Sequence, residues 1–127
     1  MPRASKESAS DSLAMDGYEG HFEDFGHGTT VGFETFTEDA DAAPLFAGLP
    51  DDRCQCEHWG YVIRGKVVYH FAGHDETFVA GDAYHVTPGH TPEFFAGTEL
   101  VEFSPTEELG RTVEVVMQNL QAAGMAG

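Results

Sequence analysis

Two cysteines and one histidine alternate along a short stretch of the chain, as Cys54, Cys56 and His58. Successive side chains of a β-strand point to opposite faces, so residues two and four positions apart share a face. If the stretch is a strand with that face turned inward, the three side chains converge on one point. Thiolate and imidazole form a soft donor set that suits zinc, and also iron, copper or nickel. The spacing predicts a site for one transition metal ion, with zinc or iron favoured.

A tetrahedral shell needs a further ligand from a second strand. His90 is the first candidate and His85 the reserve. Four protein ligands would make the site structural, whereas three would leave a position open for water or substrate. The simpler alternatives are that each cysteine is a small buried apolar residue and each histidine an ordinary hydrogen-bonded one. Glu102 could be an inward carboxylate, although an exposed glutamate is the commoner outcome.

The middle of the chain consists of short alternating runs separated by glycine-containing turns. Runs of four to eight residues with turn signals every eight to twelve residues predict an antiparallel sandwich or barrel, because no helical runs alternate with them. A single helix is predicted over about 106–122, where apolar residues recur at helical spacing (Val113, Val116, Met117 and Leu120). The elements predict an all-β fold with one C-terminal helix.

The length of 127 residues is enough for one domain and too short for two full cores. Residues 1–16 are rich in Ser, Ala and charge without an apolar period, and they predict a mobile tail. We therefore expect residues 17–127 to form one domain.

Two glycine-bounded segments carry a family resemblance. His58-Trp-Gly-Tyr-Val-Ile-Arg-Gly65 is similar to the end of the first motif of the cupin superfamily, G-x5-H-x-H-x3-4-E-x6-G. Gly81-Asp-Ala-Tyr-His-Val-Thr-Pro-Gly89 resembles the second motif, G-x5-P-x-G-x2-H, with Thr87 in place of its first proline. The resemblance covers about 28–104. It implies a cupin barrel, also called a double-stranded β-helix or jelly roll, with a metal ion inside.

The resemblance also implies which residues hold the metal. Counting back from Gly65 puts the first motif's Glu position at His58 and its two His positions at Asp52 and Cys54. Counting forward from Gly48 puts the two His positions at Cys54 and Cys56 instead. Both counts include Cys54, and the first is better anchored because no loop intervenes.

The second motif departs from the family at its ligand. Its His position falls at Pro92, which cannot ligate a metal, and His90 is the nearest substitute. The implied metal ligands are Cys54, His58 and His90, with Cys56 or His85 as further candidates.

Charge and composition exclude several partners. The chain has 22 acidic against 6 basic residues and a net charge of −16. Phosphate backbones and anionic membrane surfaces attract positive charge, so no nucleic acid and no membrane is expected as a partner. No apolar run reaches the length of a membrane span and the start lacks an apolar signal core, which favours a cytoplasmic protein. The acidity fits either a high-salt habitat or a requirement for solubility.

Two functions of different class follow from these residues. The first is a metal-dependent enzyme acting on a small organic molecule inside the barrel. The alternative is a non-catalytic barrel, either a metal-stabilised ligand-binding module or a sensor of metal or oxidant. The resemblance also implies a homodimer, with Tyr18–Phe25 as the segment that could cross to the partner.

Overall fold

The computed structural model describes residues 1–124, which form ten β-strands, two short 3-10 helices and one α-helix. The strands are β1 (Asp11–Met15), β2 (Tyr18–Asp24), β3 (Thr29–Phe36), β4 (Ala40–Asp41), β5 (His58–Arg64), β6 (Lys66–His70), β7 (Asp75–Val79), β8 (Ala83–Val86), β9 (Thr91–Phe94) and β10 (Thr98–Pro105). The 3-10 helices are Ala43–Phe46 and Pro50–Asp52, and the α-helix, α1, is Thr106–Ala122. Within residues 1–124, no helix combines the length and the apolar character needed to cross a membrane.

The strands form two antiparallel sheets that face each other. One sheet has six strands in the order β1-β2-β3-β10-β5-β8, and the other has four in the order β4-β9-β6-β7. Side chains from both inner faces build one core: Phe36, Val62, Tyr84, Val86 and Leu100 from the larger sheet, and Val67, Tyr69 and Phe94 from the smaller. The predicted all-β architecture with one C-terminal helix is confirmed.

The two sheets face each other, as predicted, and hydrogen bonds do not close them into a barrel. Among the described strands, pairing ends at β1 and β8 in one sheet and at β4 and β7 in the other. The chain crosses between the sheets at residues 80–82, so the consecutive strands β7 and β8 belong to different sheets. Side-chain packing, rather than a continuous hydrogen-bond ladder, joins the sheets at this seam.

The turn after β5 requires glycine. Gly65 has φ +82°, which side chains rarely adopt, and a Cβ there would lie 2.6 Å from the Cα of Thr98. Thr98 is fully buried, and its hydroxyl accepts from the Lys66 amide at 3.1 Å and donates to the Lys66 carbonyl at 3.0 Å. The turn glycine of the first motif thus lets the chain pass from the larger sheet to the smaller one.

Helix α1 coincides with the predicted helix and covers the segment that precedes β5. Leu109 and Val116 pack against Cys54, Cys56 and the 3-10 helix residue Phe46. Val113, predicted on the inner face, is 42% exposed, because the apolar stripe runs through Leu109, Val116 and Leu120. The helix therefore closes the core over the cysteines.

The predicted mobile tail contains an ordered strand, which corrects the expectation for residues 11–15. Strand β1 pairs along its whole length with β2, and β2 pairs with β3 of the same chain. The prediction missed β1 because its side chains are mostly exposed and show no apolar alternation. The division into a tail and one domain stays a prediction, and its last residues, 125–127, lie outside the described part. Exchange of Tyr18–Phe25 with a partner also stays a prediction.

Candidate metal centre

Three of the predicted ligands lie together between the sheets. The ligand atoms of Cys54, His58 and His90 all lie within 4.8 Å of one another. The three residues are almost completely buried, with 2%, 7% and 1% of their surface exposed. Burial has already removed the water from these three side chains, so an ion that bound here would meet donors that are no longer hydrated.

The backbone brings Cys54 and His90 together from distant parts of the sequence. The Cys54 amide donates to the His90 carbonyl at 2.8 Å, and the Cys54 carbonyl accepts from the Gly89 amide at 2.8 Å. His58 is the first residue of β5, and its Nε2 lies 3.7 Å from the Cys54 thiol sulfur. An isolated β-bridge therefore positions Cys54 and His90, and the start of β5 positions His58.

Hydrogen bonds engage the Nδ1 atom of both imidazoles. The Nδ1 of His90 lies 2.7 Å from the Thr87 carbonyl oxygen, which can only accept, so Nδ1 carries the proton. The Nδ1 of His58 lies 2.7 Å from Ser104 Oγ and 3.6 Å from a carboxylate oxygen of Glu102, which favours the same tautomer. Metal-ligating histidines in proteins are oriented in this way, by a hydrogen bond from the other ring nitrogen.

Two of the three donors, Cys54 and His90, are neutral in the absence of a cation. Burial raises the pKa of the Cys54 thiol to about 11. Burial, with a smaller effect of His58, lowers the pKa of His90 to about 4. A soft, buried set of one thiol and two imidazoles fits a transition metal ion, which binds thiolate and neutral imidazole and displaces the thiol proton.

A buried carboxylate stands behind His58. Glu102 on β10 is 9% exposed and accepts hydrogen bonds from the hydroxyls of Tyr69 and Tyr84. Gly60 lies opposite both Glu102 and Tyr84 in the sheet, and a Cβ there would lie 2.4 Å from the Tyr84 ring. The missing side chain at Gly60 thus leaves room for the tyrosine to reach the carboxylate.

The structure does not bring Cys56 or His85 into the cluster. Cys54, Cys56 and His58 are all buried, but residues 54–57 are not a regular strand and the group of converging ligand atoms leaves Cys56 out. The Cys56 thiol lies 3.5 Å from the Glu57 carbonyl oxygen and packs under α1. His85 lies on the outer face of the larger sheet, where it stacks on Trp59 and contacts Glu57.

The sequence favours an exposed Glu102 over an inward one, and it does not indicate that two tyrosines contact this residue. One sequence feature does point to it, because Leu100, Glu102 and Ser104 alternate along β10 and all three are buried. The period-2 rule places Glu102 on the same face as Leu100.

Comparison with solved structures identifies the fold. An RmlC-like cupin from Shewanella frigidimarina has a TM-score of 0.55 and 18% identity, over 80% of this chain and 88% of that one. The chain has the cupin fold. The polyketide cyclase RemF from Streptomyces resistomycificus has a TM-score of 0.54 and 14% identity, over 83% of this chain and 79% of that one. A Rhizobium leguminosarum protein of unknown function has a TM-score of 0.56 and 13% identity, over 82% and 94% of the two chains. No family model and no curated protein matches this chain by sequence.

A second carboxyl group between the strands, that of the half-buried Glu34, predicts a pH effect. Glu34 on β3 accepts a hydrogen bond from the Tyr18 hydroxyl at 2.6 Å, and burial, followed by the charge of Glu102, raises its pKa to about 7. The folded chain therefore holds this proton more tightly than the unfolded chain, in which the pKa is about 4.5. Below pH 4.5 this group makes its full contribution to the free energy of unfolding. That contribution, roughly 2 to 3 kcal/mol, is lost as the pH rises through 7.

Glu34→Gln tests this, because the amide keeps the acceptor for Tyr18 and cannot titrate. Urea unfolding of both proteins from pH 4.5 to pH 8 should show the free energy of unfolding of the wild type falling relative to the variant. A constant difference between the two proteins across this range would contradict the assignment.

Proposed function

We propose that this cupin binds one transition metal ion, zinc or iron, through Cys54 Sγ, His58 Nε2 and His90 Nε2. The observation that carries the proposal is the convergence of three buried donors whose two imidazoles are already held in the ligating tautomer. Glu102 is proposed to position His58 from the far side of the ring, as outer-shell carboxylates do.

We further propose that the protein is a metal-dependent enzyme acting on a small organic molecule. The cluster supplies three protein ligands, and catalytic sites of this kind keep a coordination position open, whereas structural sites fill it with a fourth residue. A bound metal would supply Lewis-acid polarisation of a substrate oxygen or activation of water. The name of RemF, a polyketide cyclase, supports the view that this fold carries enzymes, although fold alone does not fix a reaction.

Metal content is the direct test. Elemental analysis of protein purified without a polyhistidine tag should find about one zinc or iron per chain, after reconstitution if necessary. Less than about a tenth of an equivalent would overturn the metal site.

Coordination of the bound ion tests the enzyme proposal separately. Protein loaded with cobalt(II) should show absorption bands of thiolate coordination that change when small carboxylic acids, diketones or sugars are added. Bands that show a closed four-ligand shell and that no additive changes would overturn the enzyme proposal and leave the metal site standing.

A second candidate is a metal-stabilised, non-catalytic module, and the filled interior favours it. The space between the sheets is occupied by aromatic side chains, among them Tyr69 and Tyr84. Two surface pockets lie nearby: one of about 320 Å³ with Phe71 in its wall, and one of about 450 Å³ with Thr112 in its wall. The cluster residues and Glu102 line neither pocket. The predicted small-molecule ligand would therefore require movement of these aromatic side chains.

A further inference from the structure

A threonine hydroxyl from helix α1 is buried against the metal cluster. Thr112 lies between Leu109 and Val116 at helical spacing, on the stripe of the helix that packs over Cys54 and Cys56. Only 6% of the surface of Thr112 is exposed, whereas its two apolar neighbours on the stripe are only partly buried. The most enclosed position in this part of the helix is therefore polar.

Packing alone does not explain a threonine at this position. Valine has a similar branched shape and would fill the same space, whereas a buried hydroxyl costs free energy unless it is hydrogen-bonded. A threonine in mid-helix can bond to its own helix, at the carbonyl four residues earlier. In this structure the Thr112 hydroxyl oxygen lies 3.9 Å from the Cys54 sulfur, a long hydrogen bond that links α1 to the cluster.

The direction of this hydrogen bond depends on whether the sulfur carries a proton. The Cys54 thiol can donate to the Thr112 hydroxyl oxygen or to the Cys56 carbonyl oxygen, both 3.9 Å away. A thiolate has no proton to give, and a carbonyl oxygen can only accept, so the bond to Cys56 is lost. A hydroxyl can rotate and donate to the thiolate instead. Thr112 therefore suits the form of Cys54 that ligates a metal.

We propose that Thr112 is a positioning residue of the metal centre, whose hydroxyl donates a hydrogen bond to the Cys54 thiolate when a metal ion is bound. This role rests on the proposed ligation by Cys54, and it adds helix α1 to the elements that build the site. A hydrogen bond to a ligand sulfur stabilises the negative charge on the thiolate and tunes the metal that the sulfur holds.

Cobalt(II) provides the test, because its absorption includes a charge-transfer band that reports on thiolate ligands. Thr112→Val removes the hydroxyl and keeps the branched shape. The band should move to longer wavelength, since a thiolate without the hydrogen bond gives up an electron more easily. The cobalt affinity, measured by competition with a chelator, should fall about tenfold, as it does for other outer-shell changes.

Two variants separate the hydroxyl from packing. Thr112→Ser keeps the hydroxyl without the methyl group and should retain the band position and the affinity of the wild type. Thr30→Val is the matched control, because Thr30 is also buried, at 8% exposure, and its hydroxyl contacts the Thr106 hydroxyl of α1 at 2.7 Å. It should leave the band in place. Thr112→Ala replaces Thr112→Val if circular dichroism shows that the valine variant does not fold.

Three outcomes would overturn the proposal, and the first also overturns the metal site. Wild-type protein that gives no thiolate band with cobalt would remove both. A band that is present in the wild type and that loss of the Thr112 hydroxyl leaves at the same wavelength would remove the role of Thr112 alone. A Thr112→Ser variant that behaves like Thr112→Val would do the same, because packing of the methyl group would then be what matters.

Discussion

Replacement of Cys54 by serine is expected to lower the metal affinity of the protein by more than about a hundredfold, since changes to outer-shell residues alone cost 10-fold to 100-fold. Serine keeps the size of the side chain but removes the thiolate, the only charged donor in a cluster that otherwise contains two imidazoles. Competition with a chromophoric chelator measures the affinity, and elemental analysis of the dialysed variant measures the occupancy.

Cys56→Ser is the matched control for this experiment. Cys56 is also completely buried and lies only two positions away, but its thiol is directed to the Glu57 carbonyl instead of the cluster. We expect this variant to keep the metal affinity of the wild type. A greater loss in Cys56→Ser than in Cys54→Ser would contradict the placement of the site and favour the alignment that counts forward from Gly48.

Removal of the Glu102 carboxylate is expected to have the largest effect on stability. Tyr69 and Tyr84 are buried, with 1% and 6% of their surface exposed. In Glu102→Ala their hydroxyls lose the acceptor that they share inside the core. A buried hydroxyl left unpaired costs about 1–3 kcal/mol, so the variant should lose about 3–5 kcal/mol of unfolding free energy. Glu102→Gln keeps one acceptor oxygen and should lose less.

The control for Glu102 lies three residues away on the same strand. Glu99 forms ion pairs with Lys6 and Arg64 at the surface, and such pairs contribute about 1 kcal/mol or less. Urea unfolding of Glu99→Gln beside both Glu102 variants gives the comparison. If Glu102→Ala unfolds no more easily than Glu99→Gln, the carboxylate does not organise the two tyrosines.

Glu102→Gln also tests the positioning of His58. The wild-type carboxylate lies 3.6 Å from His58 Nδ1, and its loss should weaken metal binding about tenfold to a hundredfold while the fold is kept. In the metal-free variant, nitrogen NMR of the His58 ring should show a larger share of the tautomer protonated at Nε2. An unchanged tautomer and an unchanged affinity together would show that Ser104 alone orients the ring.

The sequence by itself determined the class of fold, because the evidence for it is local. Alternating runs and turn glycines such as Gly65 predict antiparallel strands from a few neighbouring residues, and helical spacing predicts α1 over the range it occupies. The sequence also selected Cys54, His58 and His90, since donor chemistry and the count from Gly65 depend only on residue type and position.

The tertiary structure decided which side chains share the site. Cys56 is as buried as Cys54, but residues 54–57 are not a regular strand and the Cys56 thiol is directed to the Glu57 carbonyl oxygen instead of the cluster. Glu102 lies behind His58 because Tyr69 and Tyr84, on strands from the two different sheets, donate hydrogen bonds to its carboxylate. These hydrogen bonds offset the loss of hydration that burial causes. The open seam between β7 and β8 and the pairing of β1 likewise depend on which distant strands lie side by side. No local pattern carries that information.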